Sequence, residues 1–335
     1  MTIKEIAKIA NVSQMTVSNV INKRYSKVSK QTIEKVNKII KETNYIPNRI
    51  ARNLSAQSSK IIAIIVPLVY NNESFFSDPY TAQLVGILEN NLRKKGYYAM
   101  IRSINTIEDT INFLNSWNVD GAIFIFPKSD IDINKLLDKV TTEIVFFDSY
   151  QSCEKALMIN INDYKGTYLA TKYLINKGHK EIAFVSASKD TKLIQLRYNG
   201  YKDAMLENGL TLNKSNIFET KISFVDGIDI GKQISEHNNI TAAITTADIV
   251  AIGIIEGTRL SGLRIPEDIS LIGFDNLTIS NYCYPKLTTI NQNIAKKGEM
   301  AITLLLDKIE KINELPNKIL IDVDLIERQS VISKI

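Results

Sequence analysis

Residues 2–22 read TIKEIAKIANVSQMTVSNVIN, and their caps and apolar spacing decide the first part of the fold. Thr2 followed by Glu5 forms a capping box, T-x-x-E, ahead of the apolar positions Ile3, Ile6, Ala7, Ile9 and Ala10. A break at Asn11-Val12 leads to Ser13, an N-cap for a second short helix carrying Val17, Val20 and Ile21. Ser29 caps a third helix, with Ile33, Val36, Ile39 and Ile40 at helical spacing. Three short helices with a tight joint between the first two describe a helix-turn-helix. In that motif the second helix enters the major groove of DNA, its first residues facing base edges. The residues expected to be exposed there are Gln14, Met15, Thr16, Ser18 and Asn19. Amides and hydroxyls read base edges, and Met15 can contact a thymine methyl.

A generic three-helix bundle shows the same apolar pattern, so charge has to separate the two. The first sixty residues hold 12 Lys and Arg against 3 acids, a net of +9, and the remaining 275 hold 29 against 33, a net of −4. Together they give the chain's +5. A concentrated positive arm on a mildly acidic body is the electrostatic footprint of a module that meets phosphate backbones. A solvated basic tail would lack the helical patterning seen here.

The stretches TIKEIAKIANVSQMTVSNVIN and SKQTIEKVNKIIKETNYIPNRIARNLS resemble the N-terminal module of the lactose-repressor/galactose-repressor (LacI/GalR) family, and the likeness continues to the C-terminus. The resemblance implies a transcriptional regulator, a repressor, that binds double-stranded operator DNA. Within the family, V-S-x-x-T-V-S starts the recognition helix, and its two variable positions, Gln14 and Met15 here, choose the operator. Thr2, Ser13, Thr16, Ser18 and Asn19 complete the expected DNA-contacting set, although Asn19 stands where the family often has Arg. Residues 46–59 follow the arm as a linker. Pro47 can open a helix at its first turn, and residues 48–54 suffice for about two turns, marginal alone in water. The resemblance implies a hinge helix that folds on DNA, with Asn48, Arg49 and Arg52 at the backbone or groove edges. Leu54 would be the wedge that unstacks and kinks the duplex from the minor groove.

From Lys60 the chain alternates apolar runs with amphipathic stretches. The strand candidates are Ile61 to Val66, Tyr98 to Ile101, Ala122 to Phe126, Ile144 to Phe147, Ile182 to Val185, Ala242 to Thr245 and Ile269 to Phe274. Between them lie helices such as Tyr80 to Lys95, Asp163 to Lys177, Arg197 to Asn208 and Asp248 to Gly262. Continuous apolar strands between helices predict doubly wound α/β sheets, and about 275 residues exceed one comfortable core, so two lobes are expected. The resemblance supplies the version: a small all-α helix-turn-helix domain (1–45), the hinge (46–59) and a type I periplasmic-binding-protein-like α/β body (60–335). Its N-lobe would span about 60–158 and 290–319 and its C-lobe about 159–289 and 320–335, with crossings near Ile159, Thr289 and Leu320.

No 18-residue apolar stretch exists, the first twenty residues are not a signal peptide, and only Cys153 and Cys283 are present. The expectation is a cytoplasmic protein without a disulfide framework or a membrane partner. A Gly-rich phosphate loop, a nucleophile elbow and a Cys/His cluster at metal spacing are all missing from the sequence, so neither catalysis nor a metal or cofactor is expected. His179 and His237 read as turn or surface residues.

Lobes of this kind present ligand groups at the C-terminal ends of their strands. Arg197 and Asp275 could form a directional pair in such a cleft, or a structural salt bridge between loops. By resemblance, Arg197, Asp148 and Asp275 match effector-holding positions, Asp248 matches too, and Tyr80 and Thr81 would line the N-terminal lobe. The effector implied is a small molecule, a sugar or sugar phosphate. Two departures stand out. Ile222 falls where sugar- and purine-binding members place a stacking aromatic, and Ala247 replaces a usual Asn. The long loop from Leu68 to Ser77 carries Tyr70, Phe75 and Phe76, which could supply that aromatic surface or merely pack over the lobe.

A palindromic operator needs two recognition helices about one DNA turn apart, hence a two-fold homodimer. The ending LIERQS carries no leucine heptad after it, against a tetramerising tail. Two further readings stay open: a regulator of the same fold controlled by a phosphorylated carrier protein, and a cytoplasmic solute-binding protein with a basic arm.

Overall fold

The computed structural model describes residues 1–45, 58–66, 75–127, 131–187, 191–312 and 314–334. The chain divides into two compact units, Met1–Ser59 and Lys60–Ile335.

The first unit holds α1 (Ile3–Ala10), α2 (Gln14–Ile21) and α3 (Lys30–Glu42). Each begins where a side-chain oxygen satisfies an amide that the helix itself cannot. Thr2 Oγ1 accepts from the Glu5 amide while Glu5 Oε2 accepts from the Thr2 amide at 2.8 Å. Ser13 Oγ accepts from the Thr16 amide at 3.0 Å, and Ser29 Oγ from the Thr32 amide at 3.3 Å. The joint between α1 and α2 turns on Asn11, whose φ of +53° lies in the left-handed region that Asn tolerates better than most residues. Ile6, Ala7, Ala10, Val17, Val20, Val36 and Ile39 close the core.

The second unit is built on two six-stranded sheets. Its strands are β1 (Ile61–Val66), β2 (Tyr98–Ser103), β3 (Gly121–Ile125), β4 (Glu143–Phe147), β5 (Leu157–Ile161), β6 (Ile182–Ser186), β7 (Ile217–Glu219), β8 (Ala242–Thr245), β9 (Ser270–Asp275), β10 (Thr288–Asn291), β11 (Lys318–Ile321) and β12 (Asp324–Ile326). One sheet runs β11-β5-β4-β3-β1-β2, wholly parallel. The other runs β12-β10-β9-β8-β6-β7 and is parallel except for β12 on β10. The central strands are buried on both faces, which is why they read as unbroken runs such as IIAIIV. Covering them are α4 (Pro79–Lys94), α5 (Ile107–Ser116), α6 (Ile133–Leu137), α7 (Asp163–Asn176), α8 (Lys192–Glu207), α9 (Phe224–Ser235), α10 (Asp248–Leu260) and α11 (Ile294–Ile309).

The chain passes between the sheets after β5, after β10 and after β11, at 161–163, 291–293 and 321–324. Each crossing falls a few residues later than the sequence suggested, because β5 and β11 pair along their full length within the first sheet before leaving it. Helix α8 likewise starts at Lys192, capped by Thr191, so Arg197 sits in its second turn rather than opening it. His179 is not a surface residue: it is 1% exposed, between Thr241 Oγ1 and the Ile332 carbonyl, each at 3.0 Å. Since a carbonyl can only accept, Nε2 carries the proton and Nδ1 accepts from Thr241.

Two helix pairs pack backbone against backbone. Gly227 and Gly231 on α9 face Gly253 and Gly257 on α10, and a Cβ on Gly253 would stand 2.2 Å from the Phe224 carbonyl oxygen. Gly200 on α8 lies as tightly on α7, with the Tyr164 carbonyl oxygen 2.1 Å from where its Cβ would be.

Candidate effector cavity and DNA-facing helix

On the first unit, α2 leaves its N-terminal end open. Gln14 is exposed and Met15 is 74% exposed, although a large apolar side chain on a small domain would ordinarily be folded in. Thr16, Ser18 and Asn19 are half-buried rather than exposed, and two of them are engaged locally. Thr16 Oγ1 lies 2.9 Å from Ser13 Oγ, and Ser18 Oγ accepts from Asn22 Nδ2. Thr2 and Ser13 serve first as helix caps and remain exposed. Asn48, Arg49, Arg52 and Leu54 lie outside the described residues.

In the second unit the C-terminal strand ends of the two sheets face a common cavity of about 560 Å³. From the first sheet come Asp78 and Tyr80 at the start of α4, Phe126 after β3, and Asp148, Ser149 and Tyr150 after β4. The second sheet contributes Arg197 on α8, Ile222, Thr246 after β8 and Asp275 at the end of β9, and Gln292 lies on the crossing after β10.

Two ion pairs engage Asp148 and Arg197; Asp78, Lys192 and Asp275 also line the cavity and are in neither pair. Lys297 on α11 is completely buried, and its Nζ donates to both Asp148 carboxylate oxygens at 2.6 and 2.7 Å and to the Tyr80 hydroxyl at 2.9 Å. Burial raises the Asp148 pKa, opposed by the Lys297 ammonium, and burial also pushes the Tyr80 hydroxyl well above its ordinary range. Arg197 does not pair with Asp275. Its Nε donates to Asp163 Oδ1 at 2.6 Å, its Nη1 to the Thr246 carbonyl at 2.7 Å, and its plane covers the Phe274 ring at 3.7 Å. Asp163 opens α7, the helix packed backbone to backbone on α8, which carries Arg197. Burial works against the Arg197 charge, yet the Asp163 and Asp275 carboxylates outweigh it and hold the pKa above its usual value. Tyr150 also donates its hydroxyl to Asp163, and burial first, then that carboxylate, raises its pKa.

Of the cavity carboxylates, Asp148 is ion-paired, whereas Asp78 caps α4 and Asp275 has no ion pair among the described residues. Its hydrogen-bond partner is the Gln292 side-chain amide, which donates to Oδ1. Burial and the nearby Asp248 raise its pKa well above the normal carboxylate range, against the pull of Arg197. Gln292 joins the lobes: its amide reaches Asp275 while its carbonyl accepts from Tyr80 at 3.4 Å and Lys297 at 3.3 Å.

Two residues expected at the cavity do not reach it. Asp248 is fully buried beneath the loop after β9, accepting from the Leu277 amide at 2.8 Å, Ser280 Oγ at 2.6 Å and Thr289 Oγ1 at 2.5 Å. Burial lifts its pKa to about 6 despite those donors. Thr81 is buried against Asp78, which caps α4. The aromatic lining comes from Tyr80, Phe126 and Tyr150; Phe75 packs on the core, Phe76 is 52% exposed beside it, and Tyr70 lies outside the described residues. Ile222 does line the cavity. Sequence reasoning missed Lys297 and Gln292, which no local motif announces, and Tyr150 and Ser149, whose only signal was their place after a strand-ending Asp148.

The profile of bacterial regulatory proteins of the lacI family matches residues 2–48, and that of a periplasmic binding protein-like domain matches residues 171–331. The HTH-type transcriptional repressor PurR of Pasteurella multocida is 33% identical over 340 residues, covering 100% of this chain and 99% of the relative. The crystal structure of the lac repressor dimer bound to operator and the anti-inducer ONPF superimposes with a TM-score of 0.85 at 26% identity, over 99% of both chains. A regulator of the same family from Enterococcus faecium, with bound ribose, gives 0.71 at 27% identity over 82% of this chain and 99% of its own. Among the described residues no helix is long and apolar enough to cross a membrane. On this likeness across its whole length, the chain belongs to the LacI family of DNA-binding transcriptional repressors, which are regulators and not enzymes.

Proposed function

We propose that this chain represses transcription as a homodimer on a palindromic operator and is controlled by a small effector, a sugar or sugar phosphate, held in the interlobe cavity. The observation that carries the reading is one chain joining a basic helix-turn-helix with open Gln14 and Met15 to a 560 Å³ cavity ringed by strand-end polar groups. Gln14 and Met15 read base edges, with Thr2, Ser13, Thr16, Ser18 and Asn19 around them. Asn48, Arg49, Arg52 and Leu54 supply the hinge contacts, a role supported by the resemblance of their sequence to the family. In the cavity, Arg197, Asp148 and Tyr80 shape the walls and Asp275 accepts ligand hydroxyls. The bound ribose of the Enterococcus faecium regulator and the operator of the lac repressor complex support both halves.

Selection of operators from random DNA, followed by gel shift, tests the first half. Gln14→Ala should change preference among half-site bases by about 1–3 kcal/mol per altered pair. Equal binding of every half-site variant by Gln14→Ala and the parent chain would refute the recognition-helix assignment. Gel shift with added sugars tests the second half, since an effector must change operator affinity by its differential binding free energy.

A further inference from the structure

We infer that the crossing after β10 is held by a two-sided clasp. Its outer side, the side-chain chain Arg328–Asn276–Asn291–Asp324, decides whether the crossing moves when its inner side opens. The clasp belongs to the fold and is independent of which ligand the cavity takes.

The turn that ends β9 and the crossing at 291–293 are bonded twice. On the inner side the Gln292 amide donates to Asp275 Oδ1, and both residues line the cavity. On the outer side their chain neighbours meet, and neither of these lines the cavity: Asn276 Nδ2 donates to Asn291 Oδ1 at 3.2 Å. Both segments are bent. Asn276 and Asn293 have φ of +57° and +49°, a region that Asn enters more readily than most residues, and Asp275 has +126°. Backbone of this kind persists only where its surroundings hold it.

The outer chain runs in one direction. Arg328 can only donate, so its Nη2 draws Asn276 Oδ1 toward it at 2.5 Å and leaves Asn276 Nδ2 for Asn291. Asn291 Oδ1 takes that bond and a second from the Asn293 amide at 2.9 Å, which leaves its own Nδ2 for Asp324 Oδ1 at 3.1 Å. A carboxylate only accepts, so the chain ends there. Turning either amide over would set donor against donor and acceptor against acceptor. The ends are anchored as well. Arg328 Nη1 donates to the Leu287 carbonyl at 2.6 Å. Asp324 is joined through buried Val323 to Asp322, whose two oxygens accept from Lys165 on α7 at 2.8 and 2.6 Å. Asn291 and Asp324 face each other across β10 and β12, so the chain reaches the crossings after β10 and after β11 together. Asn293 caps α11, the helix that carries Lys297. Opening one side of the clasp leaves the other to hold the crossing to the turn. Opening both leaves the β10 pairing, which stops at Asn291.

The test is amide hydrogen exchange on the full chain without ligand, read by mass spectrometry over residues 288–297 and 321–328. Asn291→Asp keeps the shape and both accepting roles but turns a second carboxylate toward Asp324. It should speed exchange in both segments about two- to tenfold, the worth of one such hydrogen bond. Adding Asp324→Asn returns a donor to the pair and should restore the parent's exchange. Asp324→Asn alone, whose amide oxygen still accepts from Asn291, should behave as the parent does. Gln292→Leu opens the inner side, and combined with Asn291→Asp it should speed exchange by more than the product of the two single effects. Asn276→Gly suits the +57° backbone and cuts the chain without adding charge, so it should repeat the Asn291→Asp result even if that variant folds poorly. Unaltered exchange in Asn291→Asp and Asn276→Gly, or no rescue by Asp324→Asn, would overturn the inference. So would a double variant whose effect equals the product of the singles, since the two sides would then be independent contacts rather than one clasp.

Discussion

Replacing Lys297 by Met removes the cation that faces Asp148 and strands a buried carboxylate. Lys297 Nζ lies 2.6 and 2.7 Å from the two carboxylate oxygens, and the remaining side-chain neighbour within hydrogen-bond reach among the described residues is the Tyr80 hydroxyl at 3.5 Å. Leaving one member of a buried pair behind costs about 3–5 kcal/mol. The carboxylate can limit that cost by taking up a proton. With an unfolded pKa of about 3.9, carrying a proton at pH 7 costs about 1.4 kcal/mol for each of about three units, so about 4 kcal/mol is the ceiling. The same reasoning gives a ceiling of about 1.5 kcal/mol at pH 5. Urea unfolding of the full chain reports on this directly, because Trp117, its single Trp, lies in the second unit at the C-cap of α5 and is 54% exposed. The defect of Lys297→Met should be close to the ceiling at neutral pH and shrink on acidification. The double variant Lys297→Met/Asp148→Asn should recover most of it. A loss under about 1 kcal/mol at pH 7, or one independent of pH, would refute the account of this pair.

Three further outcomes follow from the packing and from the open helix. Gly253→Ala should destabilise the second unit by at least about 1–3 kcal/mol, since its methyl would enter the Phe224 carbonyl, whereas Gly86→Ala, with nothing within 4 Å, should raise stability by about 0.4–1 kcal/mol; matched thermal melts check both. Burial lowers the His179 pKa, so the fold favours the neutral ring: its contribution is complete above the unfolded value of about 6.5 and is lost as pH falls below it. The parent chain should therefore lose more melting temperature between about pH 7.5 and pH 5.5 than His179→Gln, and parallel curves would disprove the linkage. Met15→Ala should weaken operators carrying thymine at the contacted position while sparing the fold, because Met15 touches little of its own domain; a lowered melting temperature would show instead that it packs.

The sequence revealed what short-range physics writes down. Capping residues announced α1 to α3, and the runs IIAIIV and SLIGFD announced strands buried on both faces. Five strands lay outside the candidate runs: β7, β10, β11 and β12, because IFE, TTIN, KILI and DLI are short and partly polar, and β5, whose run LMINI is broken by Asn160; pairing rather than pattern makes them strands. The cavity residues were found in part, since Asp148, Arg197 and Asp275 sit at strand or helix ends where ligands gather. Their partners were not. Lys297 in A-K-K-G-E-M reads as an exposed helical charge, and only the packing of α11 on the first sheet drives it inward to Asp148. Asp248 carried the right residue type at the right strand end, yet three local donors turn it away from the cavity.

Backbone strain and unbalanced charge meet at the same places. Phe126, Asp148 and Asp275 end β3, β4 and β9, all line the cavity, and all have positive φ: +46°, +51° and +126°. A non-Gly residue held there costs about 1–3 kcal/mol, and at Asp275 burial of a carboxylate bonded only to an amide adds to it. Nothing in the stability of the sheets requires three such residues to converge. Their shared property is that each stands at the C-terminal end of a strand and lines the cavity between the lobes. Gln292 spans that gap, with its amide on Asp275 Oδ1 and its carbonyl on Tyr80 and Lys297, so on the proposed function a ligand donor taking Oδ1 would compete with a contact that ties one lobe to the other. On the proposed function, ligand affinity and lobe arrangement would share that set of hydrogen bonds, and the free energy coupling them would be bounded by what those few bonds can exchange.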